Sequence, residues 1–345
     1  MFAEFAESAS PRAPLYVRLS AGIAADPELP ALLLLAPPTQ RQPVLLLACV
    51  HDLLLDGKGD ELARFYPNLT AEPDPGDPLP AFRAFARANA DELAHLLATR
   101  STQTNEIGRC ALLVPILGLL AREVGDLAHL DVGASAGLNL LFDRYEYVYD
   151  PGGAVGGPSP VRLECGTRGS VPVPPSMPRV VQRCGLDRSP VDVHDAERRR
   201  WLEACVWPDQ IDRFERLRAA LDIAAGEELD LRRGDAVADT RRIASSFEAH
   251  PVVTNTWVLN YLTGDERRAY LESMDALGAE RDMSWIFLEA PALVPDLPVR
   301  DPHDHRSVLA LARWRDGQRT VDHLGIAHPH GYWLHWERGM SQRHG

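Results

Sequence analysis

The sequence predicts a doubly wound α/β sheet that carries a helical N-terminal cap and closes on an antiparallel hairpin. Three observations predict it. Strand-like and helix-like segments alternate five times from about residue 126 onward. The first of these strands, His129-Leu130-Asp131-Val132, runs straight into Gly133-Ala134-Ser135-Ala136-Gly137, and two later strands also end in an acid, at Gly185-Leu186-Asp187 and Gly234-Asp235-Ala236. An apolar strand that ends in an acid and two glycines, then turns into a helix from about Ala136, is how α/β folds hold nucleotides.

Residues 1–125 read as helices broken by proline. Pro43 opens an apolar run from Val44 to Leu55 that suits a buried helix. The Ala71–Pro80 stretch is a loop, and Phe82, Phe85, Ala86, Leu93, Leu96 and Leu97 recur at helical spacing, predicting one amphipathic helix to about Thr99. Thr104 is the expected N-cap of a helix through Ile107, Cys110, Leu113 and Leu117.

In the α/β part, residues 126–345, the strand Tyr145–Tyr149 is expected to pair with Val161–Cys165 as a hairpin inserted at about 144–178. A second sheet strand then ends at Asp187, a third at Arg232, a fourth runs from Val252 to Leu259, and a fifth from Ser284 to Ala290. Helices are expected from Asp195 to Cys205, from Pro208 to Ala225, up to His250, and from Gly264 to Leu277. Ser307–Arg313 and Tyr332–Trp336 are expected to form the closing hairpin around Asp316-Gly317.

Composition narrows the function. With 345 residues, 45% of them hydrophobic and 25% charged, the chain has globular proportions. A net charge of −13 opposes binding to a nucleic-acid backbone. Lys58 is the only lysine, which excludes a P-loop. Five cysteines without a CxxC pair suit reduced thiols, the N-terminus is acidic where a signal peptide is basic, and the apolar runs are short. A cytoplasmic protein without a membrane anchor is therefore expected, acting on a small molecule; the oligomeric state is not readable.

The three strand ends resemble those of class I S-adenosylmethionine-dependent methyltransferases, over about residues 126–336. In that superfamily the first strand ends in an acid and a Gly-rich turn that receives the methionine moiety, the second in an acid that holds the ribose hydroxyls, and the third often in Gly-Asp-Ala beside adenine. The resemblance implies a Rossmann-like sheet with S-adenosylmethionine as cofactor, held by Asp131, Gly133, Ala134, Ser135, Gly137, Asp187, Gly234, Asp235 and Ala236. The Asp131-to-Asp187 spacing is longer than the usual strand–helix–strand unit and requires the insertion. If Tyr145–Tyr149 is instead the second strand, Asp150 takes the place of Asp187. The whole chain also resembles an uncharacterised bacterial family, which implies no substrate.

Two other chemistries share the motif. Gly133-x-Ser135-x-Gly137 is the nucleophile-elbow spacing of α/β-hydrolases, but residues 1–125 offer neither the upstream strands nor a His-Gly-Gly-Gly loop. Asp296, Asp301 and several histidines lie downstream as nominal partners. A dinucleotide site lacks the middle glycine of G-x-G-x-x-G. A binding module without catalysis keeps the same motifs, its pocket filled by side chains such as Leu138 or Arg188.

Substrate candidates are Asn255, Trp257, Asn260 and Tyr261 at the fourth strand's carboxyl end, with Asn105, Glu106 and Arg109 just before the first strand. Ser135 is expected to cap the following helix. His303 and His305 flank Asp304, and His323, His328, His330 and His335 crowd the C-terminus without a readable ligand pattern, so no metal is expected. His51-Asp52 is expected to be a buried helical pair rather than an acid–base couple.

Overall fold

The protein is described from a computed structural model, over residues 1–9, 12–293, 306–337 and 341–344. Asp296, Asp301, His303, Asp304 and His305 lie outside the described residues. The chain forms two compact units, Met1–Thr104 with Asp192–Arg218, and Asn105–Val191 with Ala219–Gly345.

The first unit is helical. It holds α1 (Phe2–Ala9), α2 (Pro14–Ala25), α3 (Pro43–Leu55), the single turn α4 (Asp60–Ala63), α5 (Leu79–Ala88), α6 (Ala90–Thr99) and α8 (Ala196–Ala204). The chain leaves it within α9 (Ile211–Ala224). Proline in the first turn starts α2, α3 and α5, where its missing N–H has no helical partner to lose. Helix α3 is buried from Leu45 to Leu54. Its two polar residues are therefore bonded: His51 Nδ1 donates to Ala204 O at 3.0 Å, its Nε2 accepts from Asn68 Nδ2 at 2.9 Å, and Asp52 accepts from Arg200 Nε at 3.1 Å. The single amphipathic helix expected to Thr99 is two helices. Asn89 breaks it, because its side-chain amide bonds Phe85 O at the end of α5 while Asp91 and Glu92 start α6.

The second unit is mixed α/β around a mostly parallel sheet. Strands β1 (Leu127–Val132), β5 (Val180–Asp187), β6 (Leu231–Arg233), β7 (His250–Thr256) and β8 (Met283–Glu289) form a parallel block in the order β6-β5-β1-β7-β8. Beyond β8 come antiparallel β9 (Ser307–Arg315) and β10 (Gln318–Ala327), then β11 (Trp333–Trp336), with β12 (Ser341–His344) also beside β10. The path continues through β4 (Arg162–Arg168) and β2 (Glu146–Asp150) to β3 (Gly153–Val155). Helices α7 (Cys110–Val124), α10 (Ala236–Ser245) and α11 (Gly264–Glu280) complete the unit. Every residue of β1 and β8 is buried, which is why both are rich in apolar residues, with His129, Asp131, Ser284 and Glu289 buried among them.

Four local expectations are corrected. The closing hairpin joins β9 to β10, not to 332–336. Asp316 and Gly317 both take positive φ, 49° and 74°, the geometry of a tight hairpin turn, so the chain returns at once. The antiparallel partner of β2 is β3, because Gly152 and Gly153 reverse the chain immediately after Asp150. Strand β4 runs parallel to β2 and joins the main sheet through β11, so residues 146–168 extend that sheet rather than standing apart as a hairpin. No helix starts at Ala136: residues 133–137 form an irregular turn with positive φ at Gly133, Ser135 and Gly137, followed by a 3-10 segment, Leu138–Arg144. At the other end of α7, Glu106 rather than Thr104 is the local cap, its carboxylate accepting Gly108 N at 3.0 Å.

Candidate active site at the carboxyl end of the sheet

From β1 the chain order runs outward both ways, to β5 and β6 on one side and to β7 and β8 on the other. Open α/β sheets place ligands outside the carboxyl ends of the strands at such a switch point. Here those ends carry Asp131, Asp187, Asn255 and Glu289. Asp187 ends the strand next to β1, whereas Asp150 ends β2, near the far edge.

Asp131 is buried, and Thr254 Oγ1 donates to its Oδ1 at 2.9 Å. That hydroxyl has one proton, so the contact of 2.8 Å between Thr254 Oγ1 and His129 Nε2 has the imidazole as donor. Burial depresses the His129 pKa to about 3 and keeps the ring neutral. Asp131 Oδ2 has no partner. Burial, with Asp187 as a lesser contributor, pushes the Asp131 carboxyl up to about 7.

The turn after β1 is braced by protein groups. Asp187 Oδ2 accepts Ser135 N at 2.8 Å and its Oδ1 accepts Ser189 N at 2.7 Å, while Asn105 Oδ1 accepts Ala136 N at 3.1 Å. Gly133 N and Ala134 N both donate to Leu186 O, tying the turn to β5. Gly133 is exposed although Asp131, Ala134 and Ser135 are buried, so the turn surfaces at this glycine. A side chain there would strike Val258, and one at Gly137 would strike Leu231. Ser135 is not a helix cap: its Oγ is buried and without a partner.

At the end of β6, Asp235 caps α10, with Oδ1 accepting Val237 N at 2.9 Å and Ala238 N at 3.2 Å, and its Oδ2 accepts from Arg188. A side chain at Gly234 would meet Asp239, whose Oδ2 accepts Asp235 N at 2.9 Å; Ala236 is the first residue of α10.

The remaining candidates are spread around β7. Asn255 is fully buried, its Oδ1 accepting Tyr270 Oη at 2.8 Å and Trp285 Nε1 at 2.7 Å, while its Nδ2 has no partner. Trp257 has φ 59° and donates its Nε1 to Ser307 Oγ at 2.8 Å. Tyr261 stands exposed, away from the buried set. Arg109 donates to Thr256 O at 2.8 Å and to Pro329 O at 2.9 Å. Glu106 meets His330 Nδ1 at 3.0 Å, and Gly108 and Gly331 let the two segments touch backbone to backbone.

Sequence reasoning missed Glu289, Thr254 and His129, and weighed His330 only as a metal ligand. Glu289 is fully buried on the last residue of β8, Val258 N donates to its Oε1 at 2.8 Å, and its Oε2 has no partner. Burial raises its carboxyl to about 7. The signal existed, since Trp285-Ile286-Phe287-Leu288-Glu289 is again an apolar strand ending in an acid.

Among the described residues no three metal-ligating side chains cluster, and no helix is long and apolar enough to cross a membrane. No curated protein and no solved structure matches the chain. A family model described as "Uncharacterized protein conserved in bacteria (DUF2332)" matches residues 1–336. The chain belongs to that family.

Proposed function

We propose that the protein is an S-adenosylmethionine-dependent methyltransferase acting on a small molecule, built on a Rossmann-like sheet. The observation that carries this reading is Asp131: a buried carboxylate with one unpartnered oxygen, at the switch point, beside a turn that surfaces at Gly133. The order β6-β5-β1-β7-β8, with an antiparallel strand beyond β8, supports it.

The residues present fit the cofactor at its methionine and ribose ends. Asp131 Oδ2 would take the methionine ammonium, which compensates a buried carboxylate far better than a neutral donor. Asp187 is half-buried and retains acceptor sites on both oxygens for a diol after receiving Ser135 N and Ser189 N. Asp235 is committed to α10 and Arg188, so its role toward adenine is to fix the end of β6. Val258 rests against Gly133 and must give way for a ligand to lie on the turn. When bound, the cofactor supplies an electrophilic methyl group; the chain's own task is to orient it and to exclude water.

Calorimetry of the full chain with S-adenosylmethionine and S-adenosylhomocysteine tests this. Saturable binding of both supports the reading, and absence of heat at millimolar ligand overturns it. Ser135 keeps a hydrolase reading only through its spacing and its φ of 53°, and among the described residues no imidazole bonds its hydroxyl. A fluorophosphonate that labels Ser135 would select that reading instead.

A further inference from the structure

Three adjacent parallel strands each carry a buried polar side chain with one unsatisfied atom at or near the carboxyl end: Asp131 Oδ2 on β1, Asn255 Nδ2 on β7 and Glu289 Oε2 on β8. Asp131 is absorbed by the cofactor reading. The other two are not. Asn255 pairs with Phe287 in the β7–β8 register, and Glu289 lies two residues beyond Phe287, so Asn255 and Glu289 project from the same face of the sheet.

Both groups are held rather than loose. Tyr270 and Trp285 grip the Asn255 oxygen and so fix which end of the amide is the open donor. Val258 N holds one Glu289 oxygen. A buried donor or acceptor left unmade costs about 1–3 kcal/mol, and more when charged, so such a pair calls for a partner from outside the chain. The missing partner must present a hydrogen donor to Glu289 and an acceptor to Asn255. A cationic donor compensates a buried carboxylate, and a neutral hydroxyl does not.

We infer that this face binds an amine with a neighbouring oxygen, its nitrogen on Glu289 and its oxygen on the Asn255 amide. It is the face opposite Asp131, because Asp131 pairs with Thr254 while Asn255 pairs with Val132, so the amine site stands on its own geometry beside the cofactor reading.

The test is calorimetry on the full chain with ethanolamine as probe and ethylene glycol as its uncharged analogue, each with and without S-adenosylhomocysteine, repeated on Glu289→Gln. Glutamine keeps the acceptor for Val258 N and removes the charge. The expected result is binding of ethanolamine but not ethylene glycol, with Glu289→Gln weakening ethanolamine by at least about tenfold and leaving S-adenosylhomocysteine within about twofold. Equal binding of ethanolamine by both proteins, equal binding of the two probes, or no binding of ethanolamine overturns the inference. Ethanolamine binding without S-adenosylhomocysteine binding leaves the amine site standing and removes the cofactor reading.

Discussion

The helical unit and the α/β unit both bury ionisable side chains, but among the described residues only the second leaves carboxylate oxygens without a partner. In the helical unit His51 has both ring nitrogens bonded, Asp52 takes Arg200, and Asp26 takes the Glu28 and Leu29 amides together with Arg83. Its buried atoms without partners include the hydroxyls of Tyr16, Ser20 and Tyr66 and the Asn68 oxygen, which are neutral. In the α/β unit the orphans include oxygens of Asp131 and Glu289. An unsatisfied neutral group costs about 1–3 kcal/mol when buried, and an unsatisfied carboxylate costs more, so the carboxylates call most strongly for a partner. On the reading proposed above, the difference places the candidate site in the second unit.

The comparison can be broken first in the helical unit. Arg200→Met leaves Asp52 buried and alone, and should lower unfolding stability in urea by about 2–3 kcal/mol; a loss under about 0.5 would show that pairing is not what permits its burial. Asp131→Asn should do the reverse, holding or raising stability while weakening S-adenosylhomocysteine binding by about tenfold or more. An unchanged affinity would remove Asp131 from the site.

Glu289→Gln sharpens the contrast through pH. The folded-state carboxyl sits at about 7 against an ordinary 4.5, so its contribution to stability is complete below the ordinary value and is lost as pH rises toward 7. Gln does not titrate, so its advantage over the parent should be absent near pH 4 and reach about 3 kcal/mol above pH 7, read from melts at both ends. The smallest effect is expected for Ser135→Ala. Its hydroxyl bonds nothing and Asp187 holds its backbone, so stability and cofactor binding should stay within about 0.5 kcal/mol. Loss of activity with binding intact would instead recover the serine as a nucleophile.

The central strands β1, β7 and β8 were legible because strands buried on both faces are rich in apolar residues, and an acid or glycine at the end stands out against them. Glu289 was equally legible by that rule. Strand β10 was not, since Gln318-Arg319-Thr320-Val321-Asp322-His323 shows no clean alternation and is specified by partners on two sides. Glycines and acids at 131–137 were read as ligand-facing, yet Asp187 and Asn105 spend bonds on bracing the turn itself. The His129–Thr254–Asp131 chain joins β1 to β7 across a separation of 125 residues, and local pattern carries no trace of such a pairing.

Strand β4 sets an order of events for the chain. It is flanked by β2, which precedes it closely, and by β11, which lies near the C-terminus. During synthesis one edge of β4 therefore waits for almost the whole second unit before it can be covered. Long-range parallel pairing of this kind closes late and slowly, and until then an open strand edge is exposed to self-association. Truncation just before Trp333 would thus be felt at Arg162–Arg168, far upstream, as an uncovered and aggregation-prone edge.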